Sequence, residues 1–194
     1  MNFLAHIYLS GDDDYIKIGN FMADGIRGKE YLNFPAQIKK GILLHRQIDT
    51  FTDAHPIFRK SKHRLHKNYG HYSGVIIDIF YDHFLAKNWG AYSATNLNDY
   101  AANFYNVLQQ NTASLTLRAK NMLPHMIKNN WLLSYQTVDG IEKIVTQMDY
   151  RTQNLSNMRF SVNELNLFYI DFEAEFSLFF AEIIEFCELK IKQL

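Results

Sequence analysis

The chain has 194 residues, 47% hydrophobic and 21% charged, and its twenty Lys/Arg balance twenty Asp/Glu. That length suits one domain with a substantial core, and a pI near 7.1 speaks against nucleic acid as a partner. A single cysteine, Cys187, excludes an internal disulfide, Cys-based zinc sites and Cys-x-x-Cys redox chemistry.

Three prolines and nine glycines are few for a many-turned β-protein, and helical spacing runs nearly throughout. A short apolar opening ends at Ser10-Gly11, and the triple Asp12–Asp14 then suits the start of a helix reaching about Gly28. Pro35 is expected to begin the next helix, which runs to about Asp53 before Pro56 breaks it. A basic segment follows over 57–68. Ser73 is placed to cap "HYSGVIIDIFYDHFLAKNW", which is apolar on nearly all sides and reads as a buried central helix. Further helices are predicted near 96–110, 113–121, 124–135 and 138–150, and a last one over 162–190. The expectation is an all-α, single-domain helical bundle over 1–194. The N-terminus has no signal-peptide pattern, and no stretch nears the roughly 18 apolar residues of a membrane span. The expected address is the cytoplasm, with no membrane partner.

Several polar residues sit where burial is expected. At 100° per residue, with His45 at zero, Ile38 falls at about 20°, Asp49 at 40°, Ile42 at 60° and Ile48 at −60°. His45 and Asp49 therefore lie inside an apolar arc. Asp78 and Asp82 repeat the pattern one turn apart on the central helix, and His83 follows about 100° around. Asp24, in "GNFMADGIRG", and His6, in "NFLAH", also have apolar neighbours. A buried unpaired carboxylate costs several kcal/mol, so each needs a cation, a donor or a shifted pKa. Singly, these residues fit a hydrogen-bonded core histidine or a salt bridge. Together, carboxylates and imidazoles are good ligands for zinc, manganese or iron, and the set points to a metal-dependent hydrolase.

No G-x-G-x-x-G, Walker-type loop, G-x-S-x-G elbow or H-E-x-x-H is present. Between Ala54 and Ile77 there is no acidic residue, while Arg59, Lys60, Lys62, Arg64 and Lys67 bring five positive charges. Such a block is a solvated helix face or a surface for an acidic partner.

The stretches "MNFLAHIYLS", "GNFMADGIRG", "GILLHRQIDTFTDAHP", Ser61-Lys62, "DIFYDHFLAKNW" and "WLLSYQTVDGIEKIV", in that order, resemble the acyl-carrier-protein phosphodiesterases over residues 1 to about 150. The resemblance implies a helical fold related to the HD-domain phosphohydrolases. It implies removal of 4′-phosphopantetheine from holo acyl carrier protein by hydrolysis of the phosphodiester to serine. It also implies a divalent metal, typically Mn²⁺, with Mg²⁺, Fe²⁺ and Zn²⁺ as alternatives. The matching positions are His6, Asp24, His45, Asp49, Asp78, Asp82 and His83; the adjacent pair reads Asp82-His83, unlike the ordinary HD order.

On this resemblance Asp24, His45, Asp49, Asp78 and Asp82 are expected around the metal. His6, His83 and Arg46 are expected in catalysis, Arg27 and Arg46 as phosphate clamps, and the 59–67 cations as a docking face for an acidic carrier protein. The alternatives are an HD-like phosphohydrolase of a small nucleotide or phosphoester, and a non-enzymatic helical module that binds acidic proteins.

Overall fold

The computed structural model describes residues 1–194. It contains eleven α-helices, short 3-10 turns and no strand. Helix α1 (Phe3–Tyr8) and α2 (Asp14–Met22) form the entry; α3 (Ala36–Ala54), α4 (Pro56–Tyr69) and α5 (Ser73–Lys87) make the centre. Then come α6 (Leu97–Gln110), α7 (Leu117–Asn129), α8 (Trp131–Ser134) and α9 (Val138–Arg151), and finally α10 (Val162–Leu167) and α11 (Tyr169–Gln193). One connected core of 49 buried hydrophobic residues runs from Met1 to Cys187, so both ends of the chain close the same interior. No helix is long and apolar enough to cross a membrane.

Local chemistry explains most boundaries. Asp13 caps α2 by accepting from the N–H groups of Tyr15 and Ile16, the pairing that unpaired first-turn donors favour. That helix stops at Met22, short of Gly28, because residues 23–25 tighten into a 3-10 turn that swings Asp24 outward. Ser73 is the first residue of α5, and its hydroxyl donates back to the Gly70 carbonyl instead of capping. Helix α7 starts at its Thr116 cap and passes through Pro124, where a break was expected; Asn130, with φ 42°, ends it. Pro124 lies on the exposed face, where the lost hydrogen bond is open to water. The predicted 162–190 helix is split at Phe168.

Helices α2 and α3 cross at two glycines. A Cβ at Gly19 would lie 2.1 Å from the Ile38 carbonyl oxygen, and one at Gly41 would lie 2.1 Å from that of Ile16. Only glycine permits this backbone approach. The crossing brings the end of α2 against the middle of α3, where His45 stands.

Helix α5 is buried on nearly every side, as its sequence suggests. Asp82, expected around the metal, is fully buried there, lies outside the His/Asp cluster and works as a cap. Its carboxylate accepts from the backbone N–H groups of Asn2 (3.1 Å), Leu4 (2.7 Å) and Ala5 (3.4 Å) at the start of α1. Those donors would otherwise be unpaired at a positive dipole end. A carboxylate from another helix supplies what a local cap normally does, and it holds α1, with His6, against α5.

Candidate metal centre

Four elements converge at one end of the α2/α3 crossing. His6 comes from α1, Asn20 from α2, Asp24 from the following turn, and His45 and Asp49 from successive turns of α3. The two imidazoles stack, with centroids 4.0 Å apart and planes at 20°. Asn20 Oδ1 lies 2.8 Å from His6 Nδ1 and 3.0 Å from His45 Nδ1. The Asn20 amide nitrogen donates to the His6 carbonyl and to Ser10 Oγ, both at 2.9 Å, which fixes the orientation of the amide.

An amide oxygen can only accept, so both histidines carry hydrogen on Nδ1. Their Nε2 atoms then face the carboxylates. His6 Nε2 is 3.3 Å from Asp49 Oδ1; His45 Nε2 is 3.2 Å from Asp49 Oδ2 and 3.1 Å from Asp24 Oδ1. His6, His45 and Asp49 each offer an atom within 4.8 Å of the others. This donor set fits a divalent ion: donors bound at about 2.0–2.2 Å around one centre sit roughly 3.3 Å apart. Histidine ligands usually present Nε2 while Nδ1–H is held by an acceptor, the role Asn20 has here.

The electrostatics divide the two rings. Burial, with the neighbouring His45, pushes His6 down to about 4, leaving it neutral at pH 7. For His45 burial also opposes charge, but hydrogen bonds to Asp24 and Asp49 outweigh it and raise the ring to about 9. Asp24 is lowered chiefly by its His45 hydrogen bond. For Asp49 burial opposes ionisation, but the His45 hydrogen bond and the neighbouring imidazoles outweigh it and hold the carboxyl low. A proton on His45 Nε2 therefore balances the carboxylates, at the position a metal would take.

The centre opens into a cleft of about 660 Å³ whose lining includes the acidic Asp53 and Asp78 and the cationic Arg118, Lys143 and Arg151. Apolar lining comes from Phe3, Val75, Trp131, Ile144 and Met148. Asp78 reaches the cleft but is engaged by the Met1 α-amino group at 2.6 Å, so the structure does not bring it into the His/Asp cluster.

Other expected site residues lie elsewhere, each for a visible reason. His83 places Nδ1 2.8 Å from the carbonyl of Tyr135, a cleft residue, and Nε2 2.8 Å from the Tyr169 hydroxyl; it joins α5 to α11 and does not itself line the cleft. Burial keeps its pKa low. Arg46 donates to the Ile26 carbonyl at 3.1 Å with its guanidinium 5.2 Å over the Tyr31 ring. Arg27 is exposed, and neither arginine lines the cleft. On α4, Lys60 and Arg64 both pair with Glu175 of α11, and Arg59 donates from its side chain to the Asp53 carbonyl. Lys62 and Lys67 remain without a carboxylate partner, and no α4 residue borders the cleft.

Asn20, Arg118, Lys143 and Arg151 are absent from the residues singled out in the sequence. Asn20 had a signal: it stands one turn before Asp24 in "GNFMADGIRG". Lys143 and Arg151 had a weaker one, two cations eight residues apart on one helix face.

A family model described as "Acyl carrier protein phosphodiesterase" matches residues 1–183. The chain belongs to that family. Among similar proteins named acyl carrier protein phosphodiesterase, that of Photorhabdus laumondii is 29% identical over 98% of this chain and 96% of its own length. The Klebsiella pneumoniae protein (strain 342) is also 29% identical, over 98% and 99%. The Enterobacter protein is 28% identical over the full length of both. No solved structure matches. The family name describes phosphoric diester hydrolases, and the chain is an enzyme of that class.

Proposed function

We propose that this enzyme hydrolyses the phosphodiester joining 4′-phosphopantetheine to a serine of holo acyl carrier protein, releasing the arm and leaving apo carrier protein. The reaction uses a divalent metal, with Mn²⁺ as the first candidate. His6 and His45 through Nε2, with Asp49 and Asp24, would hold the ion. The observation that carries the reading is the tautomer: Asn20 Oδ1 fixes hydrogen on both Nδ1 atoms, so two ligand nitrogens face two carboxylates at 3.1–3.3 Å.

When bound, such an ion supplies Lewis acidity toward a phosphoryl oxygen and makes water a stronger acid at neutral pH. The chain's residues set the stage for that chemistry. Asn20 orients both rings, and the Asp82 cap anchors the helix carrying His6. Phe3, Trp131, Ile144 and Met148 give the cleft an apolar side against which the arm can lie. The names of the relatives support the carrier protein as the substrate.

The test is incubation of holo carrier protein with chelator-stripped enzyme, read by intact mass. Conversion to the apo mass is expected with added Mn²⁺ and not without metal. Absence of conversion with every divalent cation tried would overturn the reading.

A further inference from the structure

We infer that the cations lining the cleft, Arg118 of α7 with Lys143 and Arg151 of α9, form the docking face for the acidic carrier protein. This inference rests on the proposed substrate. It moves the docking face from α4, the helix whose composition first suggests it, to α9.

None of these three cations has a carboxylate within ion-pair distance, although all border the same cleft. Unpaired cations lining one cleft create a field that attracts an oppositely charged partner. On α4, by contrast, Lys60 and Arg64 already pair with Glu175, with Asp171 also near Arg64, and the helix does not reach the cleft.

Spacing favours a protein over a lone phosphate. Lys143 and Arg151 are eight residues apart on α9, about 12 Å along the axis at 1.5 Å per residue. That spacing spreads the charge over more than two turns of the helix rather than focusing it on one phosphodiester. It matches a row of carboxylates at i, i+4 and i+8 on a facing helix, and Gln147 fills the middle of the stripe with a neutral donor. All three cations are exposed, which suits steering and registration of a partner better than a dry phosphate clamp.

Arg118 adds the register. Its Cδ lies 3.6 Å from where a Cβ on Gly25 would stand, beside the turn that carries Asp24. A carrier protein seated on α9 would therefore meet Arg118 next to the metal centre. The apolar residues of α9 that line the cleft, Ile144 and Met148, lie between the docking stripe and the interior.

The test uses fluorescently labelled apo carrier protein and metal-free, full-length enzyme, with binding followed by anisotropy. This probe has no phosphodiester and needs no metal, so its result is independent of whether cleavage occurs. Binding should weaken at least about tenfold between low and moderate salt. The K143E/R151E variant should lose at least about tenfold in affinity and show a flatter salt dependence, whereas K143R/R151K should stay within about threefold. Matching circular dichroism and Tm verify the folds. The inference is overturned if wild type does not bind, if K143E/R151E binds like wild type, or if the loss appears only in K62E/K67E on α4. If the apo protein binds as expected but holo protein is never cleaved, the proposed reaction falls and the docking face stands.

Discussion

Replacing His45 by alanine is expected to lower kcat/KM at least about 10³-fold, equivalent to roughly 4 kcal/mol of lost transition-state stabilisation. No other side chain touches as much of the site. Its ring stacks on His6, its Nδ1 meets Asn20, and its Nε2 meets both Asp24 and Asp49. Without it the remaining donors lose both a ligand and the group that holds the carboxylates together. The His45 side chain is 9% exposed and borders the open cleft, so a truncated side chain can be replaced by water and the fold should survive. His45→Gln, which keeps more of the volume, should be nearly as inactive, since its amide is a poor substitute for an imidazole ligand. A folded variant of either kind within tenfold of wild type would remove His45 from the reaction.

Asn20→Leu should give the second-largest effect, of a different kind. The substitution keeps size but removes the acceptor shared by both Nδ1–H groups and the donor to the His6 carbonyl and Ser10. Partners that orient metal-ligating histidines typically contribute 10–100-fold to metal affinity. Asn20→Leu should therefore raise the Mn²⁺ concentration needed for half-maximal activity by about that factor, and saturating Mn²⁺ should restore most of kcat. A loss of kcat that metal cannot restore, with metal affinity unchanged, would show that Asn20 is not a positioning residue for this centre. Asn20→Asp keeps an acceptor for both rings and should retain more affinity than the leucine variant.

Periodicity locates polar residues on buried faces but does not say what they meet. His45 is buried as its angle on α3 predicts, while Asp49, on the same arc, is half-exposed because the arc opens onto the cleft. Asp82 reads from the sequence as a buried charge needing compensation, and it is one. Its compensation is a row of backbone N–H groups from α1, which no sequence spacing between residues 2–5 and 82 announces.

The 57–68 segment shows the same limit. Its cationic character is plain in the sequence, but Glu175, more than a hundred residues later, neutralises part of it. Strong caps and breakers act where expected: α2 begins after Asp13, and α3 ends just before Pro56. The break at Phe168 involves neither glycine nor proline, and Pro124 sits within a continuing helix. Packing decides those two, and local propensity does not. Asn20 shows what remains readable: an amide one turn before Asp24 is visible in the sequence, but its bridging of two histidines needs the glycine crossing of α2 and α3.

The most direct test of the centre is calorimetric titration of chelator-stripped enzyme with Mn²⁺ near pH 7.5, repeated in buffers of different ionisation enthalpy. His6, lowered to about 4, has no proton to give there, whereas His45, raised to about 9, carries one that a metal on Nε2 must displace. The account predicts release of about one proton per ion. It also predicts affinity that rises roughly tenfold per pH unit toward pH 9 and then levels, with both features lost in His45→Ala. Unchanged Mn²⁺ binding in His45→Ala, or binding to wild type without proton release, would contradict it.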